Sequence, residues 1–256
     1  MINHRHYYPI LKGKKGEFTA VSHLPAQIRS YLTPFFDIPR PENEKEPHID
    51  TYLLKKADSI YRNWGTRGTL FVDFFDFGLD VRTSTGRHYV RFWFDKLRNC
   101  RVEAIPVTGL DRDDDYNVAV AQTINIDKRG TALRLQKEDI QDPSSTKASV
   151  RDLLAGLKVE EKDVHLILDL RDMSYEDLAQ NLDDVIAFLV DFGNLKIWNT
   201  VILSASGFPQ HMGDVKQHSL ELIPRTELRL WEQVLVECKK KKMSRLSMWK
   251  AWGFLL

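Results

Sequence analysis

Short apolar runs alternate with longer amphipathic stretches along most of the chain. The short runs are rich in β-branched and aromatic residues, which favours strands, and there are seven of them: YYPILKG, TPFFDIP, TLFVDFFDFG, RVEAIPVTG, TALRLQKED, VHLILDLRD and TVILSASGFP. The stretches between them repeat apolar residues at helical spacing. In residues 174–192, for example, Leu178, Leu182 and Leu189 fall on one helix face. Seven strand–helix units in series predict a parallel sheet with helical crossovers.

The predicted fold class is α/β, and the predicted architecture is a TIM-like (β/α)8 barrel. The rival is an open, doubly wound sheet, which often carries a Gly-rich phosphate fingerprint after its first strand; none follows YYPILKG. Only RLSMWKAWGFLL, at residues 245–256, is a candidate for the eighth strand, so we expect that strand to be atypical or incomplete. No linker composition divides the chain. We therefore expect one barrel domain over 1–256, with 239–256 as an atypical basic and aromatic C-terminal segment.

Composition narrows the classes of partner and compartment. The 37 Lys and Arg residues nearly balance the 36 Asp and Glu residues, so no overall field attracts nucleic acid. Two cysteines, Cys100 and Cys238, cannot form a disulfide framework and are typical of a reducing compartment. No run approaches the roughly 18 apolar residues of a membrane span, and the N-terminus has no signal core. We expect a cytoplasmic protein without a membrane partner.

Alternation along the strands predicts which side chains point into the barrel. In VHLILDLRD the leucines occupy one face, which suits the helix layer, and Asp169 and Arg171 share the other face. An unpaired carboxylate among the leucines would cost several kcal/mol, so this assignment is well determined. The same test on the other strands places polar side chains at the C-terminal ends of six strands, here called the mouth: Lys12, Asp37, Asp73, Arg134, Gln136, Asp169, Arg171, Ser204 and Ser206. Active sites of this fold lie at that end.

The polar residues of the mouth suggest two kinds of chemistry. We predict Asp73 and Asp169 as catalytic residues, in acid–base roles. We predict ligand-binding roles for the others, because Lys and Arg suit an anionic or phosphate-bearing ligand such as a nucleotide; these are Lys12, Asp37, Arg134, Gln136, Arg171, Ser204 and Ser206. The aspartates could also ligate Mg²⁺, although they have no recognised metal-site spacing. The alternative is a buried ion network with a purely structural role.

Two charged segments outside the strands are interpreted as ordinary loops. GKKGE at residues 13–17 lacks the ending of a phosphate-binding P-loop and is predicted to be a basic turn. DRDDDYN at 111–117 lacks the central Gly and terminal Glu of a calcium-binding EF-hand loop. We predict a solvated acidic loop that supplies a helix cap.

Several segments together resemble the beta protein family, which takes its name from a protein of T-even bacteriophages. They are YYPILKGKKGEF, TPFFDIP, the LRL of the fifth strand, LILDLRD, and SGFPQHM followed by IPRTELRLWE, and they span roughly residues 7–235. The resemblance places these residues in recurrent family motifs: Lys12, Asp37, Asp73, Arg134, Asp169 and Pro209. Family members usually continue through a GDY-like segment, whereas this chain ends in SMWKAWGFLL. We therefore expect a C-terminally shortened or altered member.

The resemblance implies a biological setting more than a reaction, since the family has no established activity to carry over. It implies a role in phage–host conflict, that is antiviral defence, as a recognition or effector component with a protein partner. The alternative is an enzyme that acts on an anionic, phosphate-bearing substrate at the mouth. The sequence leaves the substrate, the partner and the oligomeric state open.

Overall fold

Seven parallel strands form one sheet in chain order, each hydrogen-bonded to the next strand along the sequence. The computed structural model describes residues 6–41, 49–78, 81–208 and 222–241. The strands are β1 (Ile10–Leu11), β2 (Phe35–Asp37), β3 (Leu70–Asp73), β4 (Ala104–Thr108), β5 (Thr131–Leu135), β6 (Val164–Asp172) and β7 (Thr200–Ser206). Each strand lies within one of the seven predicted apolar runs, so those predictions are confirmed.

Helices follow every strand, as the alternating pattern predicts. They are α1 (Lys15–Ser22), α2 (Ala26–Arg29), α3 (Ile49–Asn63), α4 (Tyr89–Asn99), α5 (Asp114–Asp127), α6 (Lys137–Gln141), α7 (Pro143–Leu157), α8 (Leu178–Asp191) and α9 (Thr226–Lys240). Within the described ranges, no helix is both long enough and apolar enough to cross a membrane.

The inner face of the curled sheet surrounds a small apolar cluster. Side chains on or beside all seven strands meet there, and they are Tyr8, Ile10, Phe35, Phe71, Ile105, Val107, Ala132, Ile167 and Ile202. The rings of Phe71 on β3 and His165 on β6 lie 4.9 Å apart between centroids, although two strands, β4 and β5, lie between them in the sheet. Such a contact requires strong curling of the sheet, and the predicted alternation of inward and outward residues is confirmed.

The predicted closed, eight-stranded barrel needs correction. Across the described residues the sheet has seven strands and is a curled half-barrel, whose edge strands β1 and β7 are not paired with each other. β1 contributes only two residues, which leaves little backbone for a further ladder. The candidate eighth strand at residues 245–256 lies outside the described residues, as does Pro209.

The outward residues of the strands pack against the helix layer in two large apolar clusters. One joins β1 to β4 with α1, α3, α4 and α5, and the other joins β5 to β7 with α7, α8 and α9. On β6, Leu166 and Leu168 enter the second cluster while Ile167 faces the interior. This two-sided burial makes the strands nearly continuous apolar runs. A polar side chain at their C-terminal ends is therefore directed toward the mouth.

Candidate functional site

Arg134, at the C-terminal end of β5, is the centre of the polar cluster at the mouth. Its Nε donates to Asp169 Oδ2 at 2.8 Å, and its Nη2 lies 2.6 Å from the same oxygen. Its Nη1 donates to Asp73 Oδ2 at 2.8 Å and to Asp37 Oδ2 at 3.3 Å. Burial opposes the charge of the guanidinium, but the three carboxylates outweigh it and raise the pKa of Arg134. One guanidinium thus links β5 to β2, β3 and β6.

Arg112, in the loop after β4, is a second buried cation of the mouth. Its Nη2 donates to Asp73 Oδ1 at 2.8 Å, and only 7% of its side chain is exposed. The prediction of a solvated acidic loop at 111–117 is therefore wrong for this residue, because Arg112 turns inward to the Asp73 carboxylate. The predicted helix cap is confirmed, since the side chain of Asp113 accepts from Tyr116 N at 2.9 Å at the start of α5. The signal in the sequence was an arginine among acids directly behind a strand end.

The carboxylate of Asp37, on β2, is bound through only one of its two oxygens. Lys12 Nζ donates to Asp37 Oδ2 at 3.0 Å and to Asp76 Oδ2 at 3.4 Å, so it joins a buried carboxylate to an exposed one. Burial raises the pKa of the Asp37 carboxyl and Asp73 acts in the same direction, against Arg134 and Lys12. Burial works to lower the pKa of Lys12, but its two carboxylates outweigh it and raise the pKa.

Arg171 lies on a distortion of β6. The register between β6 and β7 shifts between Asp169 and Asp172, and Arg171 has a φ of 55°, a left-handed conformation that is unfavourable for a side chain other than Gly, Asn or Asp. Its backbone N donates to Asp169 Oδ1 at 3.0 Å, and its Nε donates to Gln136 Oε1 at 2.6 Å. Its exposed guanidinium forms no ion pair with any described residue.

Phe75, which follows β3, is an aromatic platform that our interpretation of the sequence did not assign to the site. Three guanidinium carbons lie over its ring, at 4.0 Å for Arg171, 4.7 Å for Arg112 and 5.4 Å for Arg134. Such contacts contribute about 0.5–2 kcal/mol each, depending on exposure. In the sequence, an aromatic residue just beyond a strand end carried no signal of this role.

Three buried polar atoms of the mouth have no hydrogen-bond partner among the described residues. They are Asp37 Oδ1, Arg112 Nε and Gln136 Nε2. Buried polar groups are nearly always bonded, so each such atom calls for a water or a ligand. Asp73 and Asp169, by contrast, have both oxygens engaged.

The two predicted serines lie on the inner face of β7, at the edge of the cluster. Ser204 is beside Asp169 in register, and both serines are buried. Ser206 Oγ accepts from Phe208 N at 3.3 Å, so it serves the turn after its own strand. The site therefore centres on Lys12, Arg134 and Arg171 and their partners more than on the serines.

The basic turn predicted at 13–17 is confirmed only for Gly13 and Lys14, because Lys15 already begins α1, and the backbone donors beside it are occupied. The backbone N–H groups of Lys12 and Lys14 donate to the two oxygens of Glu17, at 3.1 and 2.7 Å. Gly13 allows the turn with a φ of 60°. Because Glu17 fills the place that a phosphate would take, this turn is not an anion site.

A metal site is not formed by the predicted aspartates. Within the described ranges, no group of three or more His, Cys, Asp or Glu side chains is arranged to hold a metal ion. The Arg134 guanidinium stands between Asp37, Asp73 and Asp169, where a Mg²⁺ ion would have to bind. The buried carboxylates of the mouth are therefore paired with lysine and arginine side chains.

Comparison with known families agrees with the resemblance seen in the sequence. The family model described as Beta protein matches residues 7–246, almost the whole chain. The chain belongs to the beta protein family. Lys12, Asp37, Asp73, Arg134 and Asp169, which the family resemblance places in recurrent motifs, are the residues that meet at the mouth of this beta protein. No curated protein matches the sequence significantly.

Proposed function

We propose that the mouth of this beta protein binds a small anionic ligand, with a phosphate ester as its chemical class. The observation that carries the proposal is Arg171, an exposed guanidinium over the Phe75 ring that forms no ion pair with any described residue. Arginine presents a planar fork of donors that fits phosphate oxygens in pairs. Lys12, about one-third exposed at 32%, is the second cation that solvent reaches at this end.

A purely structural network explains the interior of the mouth but not its rim. Arg134 and Arg112, with Lys12, balance the three buried carboxylates, and replacing any of them would leave a buried charge unpaired. Arg171 stands outside this balance. It is held in a left-handed conformation on a bulge, which costs about 1–2 kcal/mol and interrupts the regular alternation of the strand. The bulge aims Arg171 across the mouth, which supports a binding role.

The other predicted site residues take positions that suit this function. Gln136 orients Arg171 through its side-chain oxygen, and Asp169 holds the bulge through the backbone of Arg171. The acid–base roles of Asp73 and Asp169 remain predictions, and in the alternative function, an enzyme acting on a phosphate ester, they would act only if their cations moved. Ligand binding needs no such movement, so we favour it.

Thermal unfolding with anions tests the proposal. Inorganic phosphate, pyrophosphate and a nucleotide panel should raise the Tm of the wild type, because a ligand that binds the folded state stabilises it by about 2.7 kcal/mol at a hundred times its Kd. Arg171→Gln should abolish the rise, while the lost Phe75 contact and Gln136 hydrogen bond should lower the Tm measured without anion by only a few degrees. Arg151→Gln is the matched control, since Arg151 lies exposed on α7 and loses the same charge.

Two results would count against an anion site. The first is a wild type whose Tm does not respond to any anion of the panel. The second is an equal response in the wild type and in Arg171→Gln, which would place the binding elsewhere on the protein.

We further propose that anion binding serves a recognition or effector role in phage–host conflict, the setting that the family resemblance implies. The ligand would then be the signal, and a protein partner would respond to it. Phage should form fewer plaques on cells that express the wild type than on cells that express Arg171→Gln at equal protein level. Equal numbers of plaques on both would mean that the ligand site has no part in phage–host conflict.

A further inference from the structure

The three carboxylates of the mouth are not equivalent in their hydrogen bonds. Asp73 uses Oδ1 for Arg112 and Oδ2 for Arg134. Asp169 uses Oδ2 for Arg134 and Oδ1 for the backbone of Arg171. Asp37 receives both of its cations, Lys12 and Arg134, on Oδ2 alone. Its Oδ1 is buried and has no partner among the described residues.

We infer that the ligand of the mouth carries a hydroxyl or amino group next to its anionic group, and that Asp37 Oδ1 binds this group. The inference rests on the proposed function and deepens it by naming the substrate class, a hydroxylated or aminated phosphate ester. A buried oxygen without a partner is unfavourable, so a ligand that supplies the missing hydrogen bond gains affinity, by about tenfold or more.

The position of Lys12 gives the ligand a path to Asp37. Lys12 Nζ bridges the buried Asp37 and the exposed Asp76, which is its longer contact at 3.4 Å. An anionic oxygen that takes the place of Asp76 beside Lys12 therefore comes next to Asp37. Groups one or two bonds further along the ligand then reach the unpaired oxygen.

The remaining unpaired atoms at the mouth support a polar ligand. Arg112 Nε and Gln136 Nε2 are buried donors without partners in the described part of the chain. Gln136 is tied to Arg171 by its other side-chain atom, so its amide hydrogens are directed elsewhere. One unpaired acceptor and two unpaired donors within one cluster match a ligand with several polar groups better than a bare anion.

Isothermal titration with three esters of similar size provides the test. Ethyl phosphate carries the anion alone, whereas glycerol phosphate adds hydroxyl groups and phosphoethanolamine adds an amino group. One or both of the latter should bind the wild type at least about tenfold more tightly than ethyl phosphate, the factor expected for a hydrogen bond to a charged group. Asp37→Ala should reduce this preference to about twofold or less.

A matched variant separates the hydrogen bond from the loss of charge. Asp76→Ala removes an equal charge from the same lysine, so it should strengthen binding of ethyl phosphate and glycerol phosphate and leave their ratio unchanged. These two esters carry the same charge, so their ratio of affinities within each variant is the readout, because a general change in charge cancels in it. If Asp37→Ala does not fold, Asp37→Asn decides the question. Its amide oxygen faces the donors Lys12 and Arg134, so an NH2 group takes the place of Oδ1 and the preference for phosphoethanolamine should disappear.

Failure of this inference is distinguishable from failure of the proposed function. Equal binding of the three esters by the wild type, abolished by Arg171→Gln, would overturn the role of Asp37 and leave the anion site standing. A preference that survives in Asp37→Ala would overturn it as well, because a group other than Asp37 would then bind the hydroxyl or amino group. If the wild type binds none of the esters, both proposals fall.

Discussion

Arg134 on β5 and Asp73 on β3 meet across the interior of the curled sheet, with 2.8 Å between Nη1 and Oδ2. The two strands are not adjacent in the sheet, so the contact passes over β4. Arg134 also reaches Asp37 on β2, three strands away, and this second contact requires the sheet to curl. Both side chains are almost fully buried, and each compensates part of the charge of the other. The pair therefore binds two non-adjacent strands together at the end where the ligand site is proposed.

Replacement of Arg134 should be the most destabilising single change at the mouth. Arg134→Met leaves three buried carboxylates without their common cation, which should lower the free energy of unfolding by about 3–5 kcal/mol. Urea denaturation, with Arg151→Met as a surface control, measures the effect. A loss below about 1 kcal/mol, typical of an exposed ion pair, would contradict the buried network.

Arg112 offers a test of the correction made to the acidic loop. Arg112→Gln leaves Asp73 Oδ1 buried without its cation, so the free energy of unfolding should fall by about 1–3 kcal/mol. Asp114→Asn in the same loop region, exposed in the structure, should change it by less than about 0.5 kcal/mol. Equal, small effects of both changes in chemical denaturation would favour the solvated loop that the sequence suggested.

The stability of the protein should depend on pH through Asp37. Because burial and Asp73 raise the pKa of this carboxyl in the folded state, its contribution to stability is complete below the unfolded pKa, about 3.9. That contribution is lost as the pH rises through the folded pKa. The Asp37→Asn variant cannot ionise at this position. The free energy of unfolding of the wild type minus that of the variant should therefore decrease from about pH 4 upward.

Denaturation of both proteins across this pH range measures the difference, in which the other titrating groups largely cancel. An increase of the difference with pH would mean that Arg134 and Lys12 outweigh burial and lower the pKa of Asp37.

Arg171→Gly should separate stability from binding. Glycine removes the left-handed strain, worth about 1–2 kcal/mol, and loses the Phe75 contact and the Gln136 hydrogen bond. The opposing effects should leave the free energy of unfolding within about 1 kcal/mol of the wild type, while the rise of Tm with phosphate disappears. A large loss of stability would instead assign Arg171 a structural role.

Alternation along single strands predicted much of the site. It placed Asp73, Arg134 and Asp169 on the inward face, and the structure confirms all three. The rule succeeds because a side chain on a strand must face either the helix layer or the interior, and burial of leucine on one side decides which. No such rule applies to a loop, so Arg112 and Phe75 could be assigned only from their contacts.

The seven described strands, and the inward or outward face of the polar residues on them, could be predicted from the sequence alone, because hydrophobic periodicity is local. The tertiary structure decided the rest. Whether β1 and β7 can pair depends on the length of β1, which is only two residues. Which aspartates Arg134 can reach depends on how far the sheet curls. Above all, the tertiary structure left one oxygen of Asp37 buried and unpaired. Three carboxylates compete there for the same cations, and this competition arises only because the fold brings charges from distant strands together.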